Sequence, residues 1–165
     1  MHLYGSDHLE VRTLIEKRSK KLEELCSRLK NTIIFVVADH GHITAEPIYL
    51  KDYPDILDML ERTTSIEPRA VSFKVKEGKQ KQFVDIFQKT FGNYFSLYTK
   101  KEVMDSKLFG DGKECEWFEE AIGDYLAIAE HSNKYLVDEG DHILYSQHAG
   151  YTDDEIYVPL IMWHS

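Results

Sequence analysis

Residues 32–42 read TIIFVVADHGH, and this stretch constrains the fold more than any other. Ile33 to Val37 are five apolar residues in succession, all β-branched except Phe35. A continuous apolar run of that stiffness predicts a strand over residues 32–37, buried on both faces as in sheets that helices cover from each side. The run stops at Asp39, His40, Gly41 and His42. In α/β folds, ligand-binding groups sit at strand ends of this kind. Asp and Gly after a strand are also ordinary turn chemistry, and a histidine beside them can simply be solvated. The three letters DHG alone do not decide between the two.

The flanking segments fit the α/β class. Residues 7–30 carry Val11, Leu14, Ile15, Leu22, Leu25, Cys26 and Leu29 at spacings of three and four. This predicts an amphipathic helix, capped by Asp7 with Glu10 or by Ser6, and helix followed by buried strand is half of an α/β unit. Beyond the motif, residues 54–62 predict a short helix and 70–75 a strand. Residues 78–91 predict a helix with Phe83, Ile86 and Phe87 inward, 94–99 a strand and 100–108 a short helix. No histidine falls between His42 and His131, so this run reads as an inserted α+β lobe over 66–108 beside a core made of 1–65 and 109–165. Residues 116–122 read as a helical turn or two; 125–129, 135–137 and 158–163 as strands; 138–142 as a polar stretch; and 146–150 as a loop. Thr152-Asp153-Asp154-Glu155 has the form of a helix capping box.

Bulk properties exclude some partners. The 165 residues suffice for one domain with a real core. A formal net charge of −9 argues against a nucleic-acid polymer or an anionic membrane as the main partner. It does not exclude a small phosphate ester, because bound metal ions reverse a local field. No stretch is apolar over the ~18 residues a membrane span needs, and MHLYGSDH has neither the basic nor the apolar region of a signal peptide. Cys26 and Cys115 are unclustered, so neither a disulfide framework nor a thiolate zinc site is expected, and the expected location is a reducing cytoplasm. Cys26 lies on the apolar side of the first helix and reads as a buried small hydrophobe.

Three of the eight histidines stand at element boundaries. His40 follows Asp39 at the strand end. His148 lies in SQHAGYT, a loop of small residues before the capping box. His2 lies in MHLYG, just ahead of the first helix. A mixed His/Asp set suits Zn²⁺ and similar divalent ions, provided the three loops meet in space.

VVADHGH followed by HAGYTDDEIYVPLI resembles the alkaline-phosphatase superfamily, nearest to its type I phosphodiesterase/nucleotide pyrophosphatase branch. In that branch a strand ends in D-H-G, and a late H-x-G-x-T segment runs on to VPLI. MHLYGSDHLEVRTLIEK resembles the piece ahead of the helix leading to DHG, where a D-x-x-x-H motif ends on a histidine; His2 falls on that histidine. The resemblance covers residues 1–45 and 140–163. It implies part of an alkaline-phosphatase-like sheet flanked by helices, a small phosphate-ester substrate and two divalent ions, Zn²⁺ first and Mn²⁺ as the alternative. His2 and His148 would bind one ion, and Asp39 and His40 the other. Two ions ~3.5–4 Å apart can clamp a phosphoryl group. Gly41 would let the backbone turn sharply beside the ligands. The resemblance gives His42 no metal role, leaving it to orient a ligand or to face solvent.

The same resemblance leaves gaps. The family's early Asp ligand, its Thr or Ser nucleophile and the Asp of D-x-x-x-H would all precede Met1. It therefore implies a C-terminal fragment of a longer enzyme, without a catalytic nucleophile, inactive alone, and binding metal weakly or not at all. Core strands missing from such a fragment would leave edges and apolar faces that favour self-association. The competing expectation is a non-catalytic binding or interaction module whose motif loops are relics. A coincidental match in an unrelated α/β domain would instead leave His2, His40 and His148 far apart. The substrate stays open among nucleotide diesters, phosphonates, sulfate esters and monoesters.

Overall fold

Four phenylalanines without exposed surface, Phe73, Phe83, Phe87 and Phe91, mark where the core sits in the computed structural model. It describes residues 1–138 and 144–164; the expected polar stretch at 138–142 lies, from position 139 on, outside the described residues. Three of the phenylalanines belong to helix α3 (Gln80–Phe91), at the four-residue spacing that stacks side chains on one helical face. Ile86, expected to point inward with them, is only partly buried. The rings of Phe83 and Phe87 lie 5.2 and 5.5 Å from that of Phe73, within the range of favourable aromatic pairs.

Phe73 ends strand β5 (Ala70–Phe73) of a four-stranded sheet. Its order is β4 (Ser65–Glu67), β5, β7 (Tyr125–Ile128), β6 (Ser96–Thr99), with every pairing antiparallel. The sheet thus takes in β7, from beyond the expected lobe limit at residue 108. Alternation along β7 assigns its side chains to two layers. Ala127 joins the α3 cluster with Leu50, Ile56 and Val71. Leu126 and Ile128 join Val103 of α4 (Lys100–Asp105) and Ile122 of α5 (Phe118–Ile122) on the other face. A period of two is what a strand covered on both sides needs. Helix α4 is closed by a capping box between Thr99 and Glu102, a T-x-x-E signal that was available in the sequence. The expected helix at 54–62 is a single turn, α2 (Pro54–Leu57).

The opening helix and strand depart from expectation. Helix α1 spans Leu9–Cys26 rather than 7–30, and its cap is His8, whose ring accepts from the Glu10 amide, not Asp7 or Ser6. Val11 and Cys26 are buried, but Leu14, Ile15 and Leu25 are about half exposed. Strand β1 (Ile33–Val37) is not buried on both faces: Ile33, Phe35 and Val37 are 60–63% exposed. It pairs antiparallel with β10 (Leu160–His164), whose Leu160, Ile161 and Met162 are also exposed. A two-stranded ribbon brings too few neighbours to cover two apolar faces. No helix among the described residues is long and apolar enough to cross a membrane.

Two short pairings position the loops that matter below. Strand β3 (Glu46–Tyr49) runs parallel to β8 (Lys134–Val137). Strand β2 (Ile43–Thr44) runs antiparallel to β9 (Ser146–Gln147), so residues 146–147, expected in a loop, are a strand. Helix α6 (Asp153–Ile156) follows, capped by the Thr152/Glu155 box that the sequence predicted.

The burial pattern sets an expected contrast in stability. Phe87→Ala should cost about 3–5 kcal/mol, the usual penalty for emptying a fully buried phenylalanine site. Leu14→Ala should cost about 1 kcal/mol or less, as for a half-exposed position. Urea midpoints of the two variants check this; equal losses would mean that α1 is covered in solution.

Candidate metal centre

Strand β1 releases the chain into Asp39-His40-Gly41-His42, and Gly41 is pressed against the backbone of α6. Its amide donates to the Glu155 carbonyl at 3.0 Å. A Cβ at this position would lie 1.9 Å from the Asp154 carbonyl oxygen and 2.7 Å from Glu155 Cα. Glycine is needed here for close backbone approach. The contact draws the DHG loop against the segment that also carries His148.

The β2–β9 pairing completes the convergence. Ile43 faces Gln147 in the register, so one further step places His42 opposite His148. His2 is tied to the same strand, because its carbonyl accepts from the Tyr145 amide at 2.7 Å. Four imidazoles consequently form one cluster. His40 stacks on His148 with ring centroids 4.0 Å apart, and His2 lies 4.5 Å from His42. Three further separations, His2–His148, His40–His42 and His42–His148, are 5.2–5.5 Å. One ligand-capable nitrogen from each of His2, His42 and His148 lies within 4.8 Å of the others. Among the residues expected from sequence, His2, His40 and His148 therefore meet. Asp39 lies beside them, with an oxygen 3.8 Å from His40 Nε2, but its side chain is 91% exposed. His42 belongs to the cluster, and its signal was the D-H-G-H spacing directly ahead of a two-residue strand.

Hydrogen bonds decide which ring nitrogens are free. His2 Nδ1 is 2.7 Å from the Ser146 carbonyl, and His40 Nδ1 is 2.8 Å from the Gly41 carbonyl. A carbonyl can only accept, so each Nδ1 carries a proton, and in the neutral ring the lone pair lies on Nε2. His42 Nδ1 is 2.6 Å from the hydroxyl of Ser146, a residue without exposed surface. Burial, followed by the neighbouring charges of His2, His148 and His40, lowers the His42 pKa from 6.5 to about 4. Burial, then His40, lowers that of His148 as well. At neutral pH these two rings are uncharged and offer lone pairs. A group of imidazoles, two of them with fixed tautomers, is a donor set that fits a borderline-soft divalent cation such as Zn²⁺.

A buried ion pair holds the loops in place. Arg69 Nε donates to Glu155 Oε1 at 2.6 Å and Nη2 to Oε2 at 2.7 Å, with both side chains out of solvent. The remaining guanidinium donors reach the carbonyls of Lys134 and Ser132 at 2.7 and 2.9 Å. Glu155 also accepts from the Gly150 amide at 2.8 Å and from the Thr152 hydroxyl at 2.6 Å. Burial alone would raise the Glu155 pKa, but the bonds from Arg69 and Thr152 outweigh it, and the net shift is downward. Gly150 is confined as well: a Cβ there would meet Arg69 Nη2 and Glu155 Oε2 at 2.6 Å. Ala149, between His148 and Gly150, holds φ at 71°, an uncommon conformation for a residue with a Cβ. An open cleft of about 740 Å³ adjoins the cluster through His42 and is lined also by Ser6, Thr44, His131 and Asp154.

Acid should loosen this region. The unfolded chain takes up protons on His42 and His148 near the ordinary histidine value of about 6.5, whereas the folded chain resists protonation down to about 4 at His42. Stability from these groups is therefore complete above the unfolded value and is lost as pH falls from ~6.5 towards 4. Urea midpoints at pH 7 and pH 5 should differ, and His42→Gln should flatten the difference. An unchanged midpoint in the parent protein would contradict the assignment of neutral rings.

Comparison with known proteins places the cluster in context. The family model for type I phosphodiesterase/nucleotide pyrophosphatase matches residues 1–152. A sequence search of curated proteins gives no match. Among solved structures, human ectonucleotide pyrophosphatase/phosphodiesterase 5 is similar with a TM-score of 0.72 and 19% identity, covering 99% of this chain and 43% of that one. Its murine counterpart gives 0.69 and 18% over the same shares, and an inactive variant of the murine protein is known in complex with AMP. Phosphonoacetate hydrolase from Sinorhizobium meliloti, in complex with phosphonoformate, gives 0.64 and 20%, covering 98% of this chain and 42% of that one. The chain thus spans less than half the length of these relatives and has part of their α/β fold. Motifs, fold and family match agree: the chain belongs to the type I phosphodiesterase/nucleotide pyrophosphatase family of the alkaline-phosphatase superfamily.

Proposed function

We propose that this chain carries part of the metal-binding machinery of a phosphoric ester hydrolase. His2 and His148 serve one divalent ion, and Asp39 and His40 a second, with Zn²⁺ preferred and Mn²⁺ the alternative. The observation that carries the reading is the convergence of four imidazoles from three separate loops. Bound divalent ions would polarise the ester phosphate and neutralise charge developing on its oxygens. The chain's own residues orient and hold. The carbonyls of Ser146 and Gly41 fix the tautomers of His2 and His40. Glu155 ties both histidine loops to the β8 side of the fold through Arg69.

The substrate class that fits is a small phosphate ester or phosphonate. Support comes from the family match and from the ligands of the related structures, AMP and phosphonoformate.

Hydrolysis by a covalent route also needs a hydroxyl nucleophile. Ser146 lies 2.6 Å from His42 Nδ1, and the pair looks like a serine activated by a base. Ser146 has no exposed surface, however, so a phosphorus atom cannot reach it. In this reading the nucleophile comes from polypeptide other than these residues, and the chain alone is inactive. A second reading, an interaction module with relic loops, draws on the exposed apolar residues of α1, β1 and β10. Those faces would then bind another chain or a second copy.

Turnover separates the two. The isolated chain with Zn²⁺ or Mn²⁺ should show no saturable hydrolysis of bis(4-nitrophenyl) phosphate. A longer polypeptide supplying the remaining family segment should hydrolyse it, and His40→Ala or His148→Ala should remove most of that rate. Saturable turnover by the isolated chain, lost on Asp39→Ala, would contradict the missing nucleophile. A longer polypeptide that folds but stays inactive would favour the interaction module.

A further inference from the structure

We propose that His42 is itself a metal ligand, so that His2, His42 and His148 hold one zinc-type divalent cation through three imidazoles. The inference rests on reading the cluster as a metal site, and adds a ligand that the motif resemblance does not supply. Three observations carry it.

The first is proximity. Among the described residues, the set whose ligand atoms lie within 4.8 Å of one another is His2, His42 and His148. Asp39, the carboxylate of the motif, is not in that set and leaves most of its side chain to solvent.

The second is register. His42 and His148 stand one step beyond the Ile43–Gln147 pair of β2 and β9, on facing strand ends. Backbone pairing, rather than a flexible side chain, brings the two rings to 5.2 Å.

The third is orientation. Ser146 holds two of the three rings at once: its carbonyl accepts from His2 Nδ1 at 2.7 Å, and its hydroxyl lies 2.6 Å from His42 Nδ1. Metal-binding histidines nearly always use their second ring nitrogen in such a bond, which fixes tautomer and ring direction. Ser146 is fully buried, so this arrangement is built into the fold rather than solvated. A histidine serving only as a hydrogen-bond partner to a ligand would be expected to bond that ligand; His42 instead shares with His2 the same orienting residue.

Three imidazoles are a sufficient protein ligand set for zinc with an open fourth position. They leave the ion its full charge, whereas a carboxylate ligand would reduce it. The three residues also belong to one chain, so this site does not depend on polypeptide beyond residues 1–165. Asp39 and His40, as a pair, offer two ligands and would hold an ion weakly. The isolated chain should therefore take up one equivalent of Zn²⁺ tightly, not two.

Zinc titration of the 165-residue chain, followed by calorimetry and by ¹⁵N shifts of the histidine rings, tests this. The expected result is a single tight equivalent that shifts the ring nitrogens of His2, His42 and His148 together and leaves the exposed His131 unmoved. His42→Ala should weaken binding by about 100-fold or more, the upper end of what losing an orienting partner alone costs, and His131→Ala should not change it. The ring shifts are read on the parent chain, so the test stands even if His42→Ala fails to fold. Zinc that shifts His2 and His148 but not His42, or that binds His42→Ala as tightly as the parent, overturns the proposal without touching the hydrolase reading. No zinc uptake by the parent chain overturns the three-imidazole site, while the hydrolase reading is judged separately by turnover of the longer polypeptide.

Discussion

The arrangement of the histidine loops depends on one residue, Glu155. Its carboxylate receives a bidentate pair of bonds from Arg69 and further bonds from Gly150 and Thr152, while its backbone carbonyl receives the Gly41 amide. The first set anchors the loop of His148; the last anchors the loop of His40 and His42. A charge buried this deeply is tolerable only because its partners are complete, and removing one partner of such a pair typically costs about 3–5 kcal/mol. Gly41 and Gly150 are the corollary. Each lies where a single methyl group would strike the Glu155 neighbourhood at under 3 Å, so the two loops close only around glycine.

This dependence also links the two halves of the structure. Arg69 precedes β5 of the antiparallel sheet, whose core of phenylalanines is the best-buried part of the chain. Through Arg69 the rigidity of that layer reaches loops that have little apolar packing of their own. The first helix and the β1–β10 ribbon are different. Strands β1 and β10 and helix α1 present Phe35, Met162 and Leu14 to solvent. The histidine cluster lies at the junction: β1 leads into it from the weakly covered side, and Glu155 holds it from the well-packed side.

How much of this could be read from the sequence follows from what each feature depends on. Helix α3, the Thr152/Glu155 capping box and the position of strand β1 rest on local spacing, and local spacing revealed them. The Thr99/Glu102 box was equally local and equally readable. Burial of β1 and α1 is not legible in the sequence, because an apolar pattern records what a segment can bury, not whether neighbours are present to cover it. Arg69 carried no signal: its partner is 86 positions away, and a single arginine in PRAVSF reads as surface. His42 was underrated because its place is set by a two-residue strand pairing, too short for propensity to reveal. The family resemblance supplied the D-H-G and H-A-G loops together, and the fold brings His40 and His148 into contact.

The central claim is that these loops form a nitrogen-rich site for a divalent cation, held by the chain's own imidazoles. X-ray absorption at the zinc edge, on the 165-residue chain loaded with one equivalent of Zn²⁺, tests it most directly. The account predicts a first shell dominated by about three imidazole nitrogens at ~2.0–2.1 Å, with the outer-shell scattering characteristic of histidine rings. A shell of oxygens alone, or zinc lost on desalting, would contradict it.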